Sequence, residues 1–259
     1  YGDEIILSRR TRKNLDTNQQ DKIMDALSES EVGLIARHNL VPENLDIAQA
    51  ELQSLNQQWK DIELNAKELT EEGLVFQNTY FDQNFVCDYS DKNTDQIIFS
   101  DHDRFEKVKT WDEGLDSSFA NICEEMSPEQ IEEHFNLSEK IDYLIGHQYE
   151  LPSGGNIMFG KTDALTAIDV NTGSAKRFDT NREAIQLIAK LIKLKNISGK
   201  VVIDPVASDH NTLRKLVGML KNEFRDDLSI TNVYGYTRGG LLELSRSRND
   251  RSIDELNLN

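Results

Sequence analysis

The chain has 259 residues, of which 46 are acidic and 29 basic, and its formal charge at pH 7 is −17. This length can bury a sizeable core, and the 10 Phe, 7 Tyr and 2 Trp argue against a disordered chain. The acidic balance excludes nonspecific coating of nucleic acid, which needs dense Lys and Arg, although a local nucleic-acid site stays compatible with it.

The apolar runs, the cysteines and the N-terminal residues indicate the cellular location of the protein. No apolar run approaches the ~20 residues of a membrane-spanning helix, so no transmembrane segment is expected. The two cysteines, Cys87 and Cys123, are too few for a disulfide framework or a cysteine-rich zinc site, which favours a cytoplasmic location. The chain begins at Tyr1 without a charged and then apolar leader, so we expect no signal peptide and a natural N-terminus further upstream.

The first third of the chain alternates short apolar runs with helical patterns. A basic cluster at residues 9–13 precedes a first predicted helix, and the strand-length apolar run 32–36 ends at Arg37 and His38. A longer helix is predicted from about Asn44, where apolar residues recur in steps of four and three. These residues are Ala48, Leu52, Leu55, Trp59 and Ile62. Such a stripe is typical of a helix face that packs against a core.

The middle of the chain predicts two short strands and then a helix. Residues 74–76 and 96–99 have strand character, and the Asp- and Asn-rich stretch 88–95 is typical of a turn between them. The spacing of the apolar residues within 129–147 predicts the helix.

The last part of the chain begins with the turn 151–155, which we interpret as the best domain boundary because Pro and Gly disfavour regular structure there. A β-α-β-α-β order follows, and it predicts a parallel or mixed α/β sheet. The three strands are placed at 164–168, 201–203 and 229–233. A capping box from Thr180 to Glu183 is predicted to start the first of the two helices.

Two carboxylates stand where apolar strands end. Asp169 follows the first of these strands and Asp204 the second, and a right-handed crossover puts such strands side by side or nearly so. Ligands of open α/β sheets bind beyond these strand ends. Two carboxylates that meet there repel each other unless a cation or a proton lies between them, and Mg²⁺ fits because it takes hard oxygen ligands. The alternative is that each aspartate caps the next helix or turn.

Asn171 comes two residues after Asp169, so both side chains lie on the same side of the strand if the strand continues that far. Its amide would then orient a carboxylate or accept a hydrogen bond from a metal-bound water. An ordinary turn residue is an equally good interpretation, because asparagine is common in turns.

Several longer motifs follow one another through the second half of the chain. They are Leu-Pro-Ser-Gly-Gly-Asn-Ile (151–157), Ala-Leu-Thr-Ala-Ile-Asp-Val-Asn-Thr-Gly (164–173), Phe-Asp-Thr-Asn-Arg-Glu-Ala (178–184), Val-Val-Ile-Asp (201–204) and Arg-Gly-Gly-Leu-Leu-Glu-Leu-Ser-Arg (238–246). Together, and in this order, they closely resemble the catalytic region of the ribonuclease E/G family. A weaker resemblance extends upstream through residues 6–10 and 32–37, so that it covers most of the chain.

The resemblance implies a multi-module fold of the α/β or α+β class. Its modules would be a 5′-sensor-like segment over 1–73, an RNase H-like segment over 74–150 and a DNase I-like catalytic sheet over 151–259. The resemblance is compatible with a homo-oligomer or with RNA-processing partners.

The resemblance also implies the chemistry. Asp169, Asn171 and Asp204 occupy the positions of the family's catalytic residues, and the two aspartates are the expected ligands of Mg²⁺, with Mn²⁺ as an alternative. The activity would be endonucleolytic hydrolysis of single-stranded RNA to 5′-phosphate products in RNA processing or decay. A metal-activated water would be the nucleophile.

Further residues are assigned to RNA binding in the same way. Contacts to the 5′-phosphate or the RNA are expected at Arg37, His38 and Arg238, although His38 replaces a threonine of the family. Apart from the resemblance, the acidic balance predicts weak RNA binding that is confined to local basic points, such as Arg9, Arg10, Arg12, Lys13, Arg238, Arg246 and Arg248.

The chain also departs from the family pattern. From the resemblance we expect this chain to lack a complete S1 domain and the N-terminal half of the RNase H-like region, and we expect no zinc because no Cys-Pro-x-Cys link follows Arg248. A second acidic residue after the second catalytic strand is replaced in Ile-Asp-Pro-Val-Ala (203–207). These losses keep open a noncatalytic homologue that binds RNA or protein.

Three hypotheses therefore stand. The leading one is a magnesium-dependent endoribonuclease, because Asp169, Asn171 and Asp204 are all retained. The second is the noncatalytic homologue. The third is a phosphohydrolase that uses its pair of acidic residues to hydrolyse small phosphate esters. The long motifs favour RNA as the substrate over such small esters.

Overall fold

The computed structural model describes the chain except residues 1–3, 9–10, 13–14, 29, 31–32, 37–39, 43–44, 70, 77–81, 83–84, 87–89, 91–93, 116–118, 174–176, 207, 226 and 257–259. Two compact units are present, Tyr1–His134 and Phe135–Asn259. Arg37 and His38, at which 5′-phosphate binding is predicted, lie outside the described residues. Within the described residues, no helix combines the length and the apolar composition that crossing a membrane requires.

The first unit contains two short parallel strand pairs. The first joins β1 (Ile5–Leu7) to β2 (Leu34–Ala36), and the second joins β3 (Ile97–Phe99) to β4 (Cys123–Glu125). The helices up to the border of the unit are α1 (Thr17–Ala26), α2 (Leu45–Glu68), α3 (His102–Leu115) and α4 (Pro128–Phe135). A 3₁₀ turn (Phe119–Ile122) precedes β4.

A small apolar core joins the first strand pair to α1 and to the start of α2. Its buried members are Leu7, Leu15, Ile23, Leu27, Ala36 and Leu52. The predicted stripe of α2 is therefore confirmed only in part, since Leu52 is 8% exposed whereas Leu55 and Trp59 are 49% and 48% exposed. The helix is long enough that its second half extends beyond this core.

The strand predicted at residues 74–76 is wrong. These residues have no regular secondary structure, and the side chains of Leu74 and Phe76 are exposed. The strand predicted at 96–99 is confirmed as β3, but β3 pairs in parallel with β4 and so does not form a hairpin with 74–76. An apolar triplet without a strand beside it has no partner for its backbone hydrogen bonds.

The second unit is a six-stranded sheet with helices packed on one face. The sheet order is β5-β6-β7-β8-β10-β9, in which β7 and β8 are parallel and the other neighbouring pairs are antiparallel. Its strands are β5 (Gln148–Glu150), β6 (Asn156–Lys161), β7 (Thr166–Asn171), β8 (Gly199–Asp204), β9 (Thr231–Tyr236) and β10 (Leu242–Arg246). Its helices are α5 (Leu137–Ile145), α6 (Arg177–Leu194) and α7 (His210–Glu223), and a 3₁₀ turn (Ile253–Glu255) follows β10.

The predicted α/β class and the order β7-α6-β8-α7-β9 are confirmed, and the sheet is of the mixed kind. Strands β5, β6 and β10 were not predicted, and β10 separates β8 from β9. The DNase I-like and RNase H-like layouts stay predictions. So does the division into 1–73, 74–150 and 151–259.

The turn 151–155 joins β5 to β6 inside one sheet. Two local expectations are corrected. The predicted helix 129–147 is two helices, α4 and α5, because Asn136 between them takes a left-handed φ of 50°. The capping box is wrong because α6 already begins at Arg177, which leaves Thr180 fully buried within the helix.

Alternation along β7 decides which side chains reach the open side of the sheet. Thr166, Ile168 and Val170 are buried, whereas the residues between them are exposed. The buried face packs against apolar residues of the two covering helices, which include Ile188, Leu191, Ile192, Leu213, Leu216 and Leu220. Because side chains alternate between the two faces of a strand, this burial fixes Asp169 and Asn171 on the other face.

Candidate functional site

The two predicted carboxylates lie directly opposite each other. Asp169 of β7 pairs in register with Asp204, the last residue of β8. Neighbouring strands are separated by about 4.8 Å, and side chains in register point to the same face, so the carboxylates are adjacent at the carboxyl edge of the sheet. Both residues are exposed. Neither caps a following helix, since β7 continues to Asn171 and the N-cap of α7 is Asp209.

Asn171 holds one of these carboxylates. Its Nδ2 donates to Oδ2 of Asp169 at 2.8 Å and to Oδ1 of Asn156 at 3.3 Å. Asn156 is the first residue of β6 and lies opposite Asn171 in the register of the two strands. The structure therefore brings together the three predicted residues and adds Asn156. Sequence reasoning missed Asn156 because it did not predict β6, although the Gly-Gly step just before it marks a turn.

Two glycines allow the turn 151–155 to approach the end of β7. A Cβ on Gly155 would overlap the carbonyl oxygen of Asn171, and a Cβ on Gly173 would overlap the backbone of Gly154. The backbone NH of Ser153 also donates to Oε2 of Glu183 on α6 at 3.0 Å. The turn is thereby fixed against the residues that carry the site.

The loop after β8 is fixed from the side of α6 by Asn181. This side chain is 1% exposed, accepts from the backbone NH of Val206 at 2.8 Å, and donates to the carbonyl oxygen of Val206 at 3.0 Å. It also donates to the hydroxyl of Ser208 at 3.0 Å. Sequence reasoning missed this residue too, because its partners lie 25 to 27 residues away in the chain.

A cleft of about 540 Å³ opens at this edge of the sheet. Its wall includes Asp169, Asn171, Asp204, Val206, Gly239 and Gly240. The two glycines belong to a tight turn between β9 and β10, in which Thr237 NH donates to the carbonyl oxygen of Leu241 at 2.8 Å. The same turn carries Arg238, whose exposed guanidinium has no hydrogen-bond or ion-pair partner among the described residues. Arg238 thus directly precedes, in the chain, the two glycines of the cleft wall.

Arg246 is different, and the prediction that it binds RNA is wrong. It lies at the opposite edge of the sheet, where its Nε donates to Oδ2 of Asp227 at 2.8 Å and both side chains are under 5% exposed. Arg248 is exposed but donates to Glu255 at 2.7 Å. Of Arg238, Arg246 and Arg248, Arg238 alone belongs to the turn that contributes to the cleft wall. The predicted basic points Arg9, Arg10 and Lys13 lie outside the described residues.

The donor set at the cleft fits a hard divalent cation. In the described part of the chain, no three His, Cys, Asp or Glu side chains lie close enough together to hold a metal ion by themselves. Mg²⁺ does not need such a cage, because it is usually held by one or two carboxylates together with waters and substrate phosphates. Asp169 and Asp204 supply this pair, and a cation between them would relieve the repulsion of two like charges.

The sequence of this chain is similar to sequences of known ribonucleases. Ribonuclease E of Nostoc sp. is 27% identical over 99% of this chain and 39% of its own length. Ribonuclease E of Haemophilus influenzae is 26% identical over 94% of this chain and 28% of its own length. Ribonuclease G of Escherichia coli is 27% identical over 67% of this chain and 38% of its own length. The chain thus spans well under half the length of these relatives.

The sequence pattern of the whole family extends along nearly the entire chain. The pattern described as "Ribonuclease E/G family" matches residues 1–249. This range includes the strands that carry Asp169, Asn171 and Asp204 and the turn that carries Arg238. The chain therefore belongs to the Ribonuclease E/G family.

Proposed function

We propose that this chain carries the centre of a metal-dependent endoribonuclease that cleaves single-stranded RNA in the cytoplasm during RNA processing or decay. The products would carry 5′-phosphates. The observation that carries the proposal is the in-register pairing of Asp169 with Asp204 at an exposed sheet edge, in a chain whose relatives are named as ribonucleases.

Asp169 and Asp204 would hold Mg²⁺, with Mn²⁺ as an alternative. When bound, such a cation lowers the pKa of a water and offsets negative charge on the reacting phosphate. Asn171 donates to Oδ2 of Asp169, which fixes the rotation of the carboxylate and leaves Oδ1 as a ligand. Asn171 is thus a positioning residue in this proposal.

Arg238 would bind the RNA beside the cleft. A guanidinium can donate two parallel hydrogen bonds to one phosphate, and that of Arg238 is exposed on the turn that lines the cleft. Recognition of a 5′-monophosphate by Arg37 and His38 stays a prediction from the family resemblance.

A noncatalytic homologue that binds RNA or protein is the second candidate. It is favoured by the replacement of the family's second acidic residue in the segment 203–207. The position of that acidic residue is Ala207, which lies outside the described residues.

The test is incubation with a 5′-labelled single-stranded RNA, with and without Mg²⁺, for the unmodified chain and for Asp169→Asn and Asp204→Asn. We expect each substitution to reduce cleavage by about 10²-fold or more, because a catalytic metal commonly contributes several kcal/mol to lowering the barrier. Thermal unfolding should change little, since both carboxylates are exposed.

Asp163→Asn is the matched control, because Asp163 is an exposed aspartate of the loop between β6 and β7 that lines a separate cleft. Its cleavage rate should equal that of the unmodified chain. Cleavage at the full rate by Asp169→Asn or Asp204→Asn would show that the site is wrongly assigned. RNA binding without any Mg²⁺-dependent cleavage would support the noncatalytic homologue.

A further inference from the structure

Two aromatic rings lie at the carboxyl edge of the sheet, outside the carboxylate cleft. They belong to His210, the first residue of α7, and Tyr236, the last residue of β9. Their centroids are 5.8 Å apart and their planes make an angle of 38°. His210 is exposed, and Tyr236 is half-buried against the main core. The catalytic residues discussed above make no use of this ring pair.

A bulge in β9 sets the direction of Tyr236. Gly235 has a φ of +135°, and the pairing of β9 with β10 shifts next to it. In the bulge, Tyr234 has no partner in the register, is 67% exposed, and its hydroxyl contacts that of Ser245 at 2.7 Å. After the bulge, Tyr236 faces His210 of α7. Bulges re-aim side chains in this way, so the ring pair is a consequence of a specific backbone irregularity.

The ring pair is close to the carboxylates. Leu242 on β10 pairs with Tyr236 on one side and with Ile203 on the other. Tyr236 is therefore two strand spacings, about 10 Å, from the strand that ends at Asp204. The turn 237–241 connects Tyr236 to Leu242 and contributes to the wall of the cleft. A ligand that leaves the cleft over this turn meets the rings next.

We propose that His210 and Tyr236 form a stacking site for one nucleobase of single-stranded RNA, and that Arg238 between them and the cleft binds the adjoining phosphate. The inference rests on the proposed function and extends it to a base-binding subsite. Every base has an aromatic face, so stacking on protein rings tolerates any sequence.

The charge of the chain makes such a subsite useful. With a formal charge of −17, the chain repels RNA at long range and gains little from the release of counterions. Stacking does not depend on net charge, and together with the local cation Arg238 it supplies affinity beside the carboxylates. The described residues provide two aromatic rings and one arginine in this part of the sheet edge.

The first experiment measures binding of a fluorescently labelled single-stranded RNA by anisotropy, with a chelator present so that no metal-dependent cleavage occurs. Tyr236→Leu, which keeps an apolar side chain against the core, and His210→Ala, at an exposed position, should each raise Kd about fivefold or more. Tyr236→Phe should bind like the unmodified chain because it keeps the ring. Tyr234→Leu is the matched control and should also leave Kd unchanged.

The second experiment uses a series of the same RNA in which one nucleotide at a time lacks its base. One position of the series should weaken binding to the unmodified chain by the same factor as Tyr236→Leu does. On Tyr236→Leu and on His210→Ala, the missing base at that position should have no further effect, because its stacking partner has been removed. Thermal unfolding of each variant shows whether the fold is retained.

The outcomes separate this inference from the function on which it rests. Unchanged Kd for His210→Ala and Tyr236→Leu, or the same sensitivity to the missing base in all proteins, would overturn the stacking site. If Mg²⁺-dependent cleavage persists in that case, the proposed nuclease centre stands. An unmodified chain that neither binds nor cleaves RNA would overturn both.

Discussion

The two edges of the six-stranded sheet treat charged groups in opposite ways. At the carboxyl edge, Asp169 and Asp204 lie side by side as exposed like charges, and the hydrogen bond that the described residues provide them comes from the amide of Asn171 to Asp169. At the opposite edge, Arg246 and Asp227 form a buried pair of opposite charges, with a second hydrogen bond from Nη2 at 3.1 Å.

Lys195 extends the pattern of the opposite edge. Its side chain is 1% exposed, and its Nζ donates to the carbonyl oxygen of Gly146 at 3.0 Å and lies 3.6 Å from Asp254. Burial lowers the pKa of Lys195, and Asp254 acts in the other direction. Charged groups at this edge are paired within the protein, whereas Asp169 and Asp204 at the carboxyl edge are exposed. The comparison separates charged groups that stabilise the fold from charged groups that are exposed at the surface.

The largest expected effect comes from breaking the buried pair. Arg246→Leu leaves Asp227 buried without its cation, and we expect a loss of about 3–5 kcal/mol in the free energy of unfolding. Urea unfolding measures this loss. Arg248→Leu is the control, because Arg248 is 59% exposed in its pair with Glu255 and should contribute little.

The comparison would fail if Arg246→Leu proved as stable as the unmodified chain. It would also fail if Asp169→Asn, at the carboxyl edge, lost comparable stability. At a temperature where Arg246→Leu is folded, its cleavage rate per folded molecule should equal that of the unmodified chain.

A smaller effect is expected at the carboxyl edge from Asn156→Ala, which removes the acceptor at 3.3 Å from Asn171. One hydrogen bond of this kind contributes about 0.5–1.5 kcal/mol, so the cleavage rate should fall roughly two- to tenfold while KM for the RNA stays unchanged. Asn156→Asp keeps an acceptor and should restore the rate. Initial rates against RNA concentration give both parameters.

Asn232→Ala, at an exposed asparagine of β9, is the control for this substitution. An unchanged rate for Asn156→Ala would show that Asn171 needs no support from β6. A rise in KM without a fall in rate would instead place Asn156 in RNA binding.

The smallest effect concerns pH. Burial raises the pKa of Asp227, but hydrogen bonds from Arg246 and Thr231 outweigh it, so the pKa lies below its usual value. The stability from this group is therefore complete above the unfolded aspartate pKa of about 3.9 and is lost as pH falls through the folded value. Asp227→Asn cannot titrate.

We therefore expect the free energy of unfolding to fall more steeply from about pH 5 to pH 3 in the unmodified chain than in Asp227→Asn. Urea unfolding at both pH values measures the two slopes. Equal slopes would show that Asp227 has the same pKa in the folded and unfolded states.

Much of the second unit follows from local pattern. The runs around Ile168 and Ile203 are apolar enough to be buried strands, and the helices between them show one apolar face. The same kinds of local pattern gave wrong predictions where contacts with another segment decide the secondary structure. Leu74 to Phe76 has strand composition but pairs with no strand among the residues that the structure describes, and Thr180 to Glu183 has capping-box composition but lies inside α6.

The sequence by itself predicted that Asp169 and Asp204 follow apolar strand segments, and that Asn171 shares a face with Asp169 if the strand continues, because alternation along a strand is a local property. The tertiary structure decided the rest. It set the register that pairs the two aspartates, brought Asn156 to Asn171, inserted β10 between β8 and β9, and buried Arg246 with Asp227. Register and strand order depend on hydrogen bonds and packing between residues far apart in the chain, and no local pattern encodes those pairings.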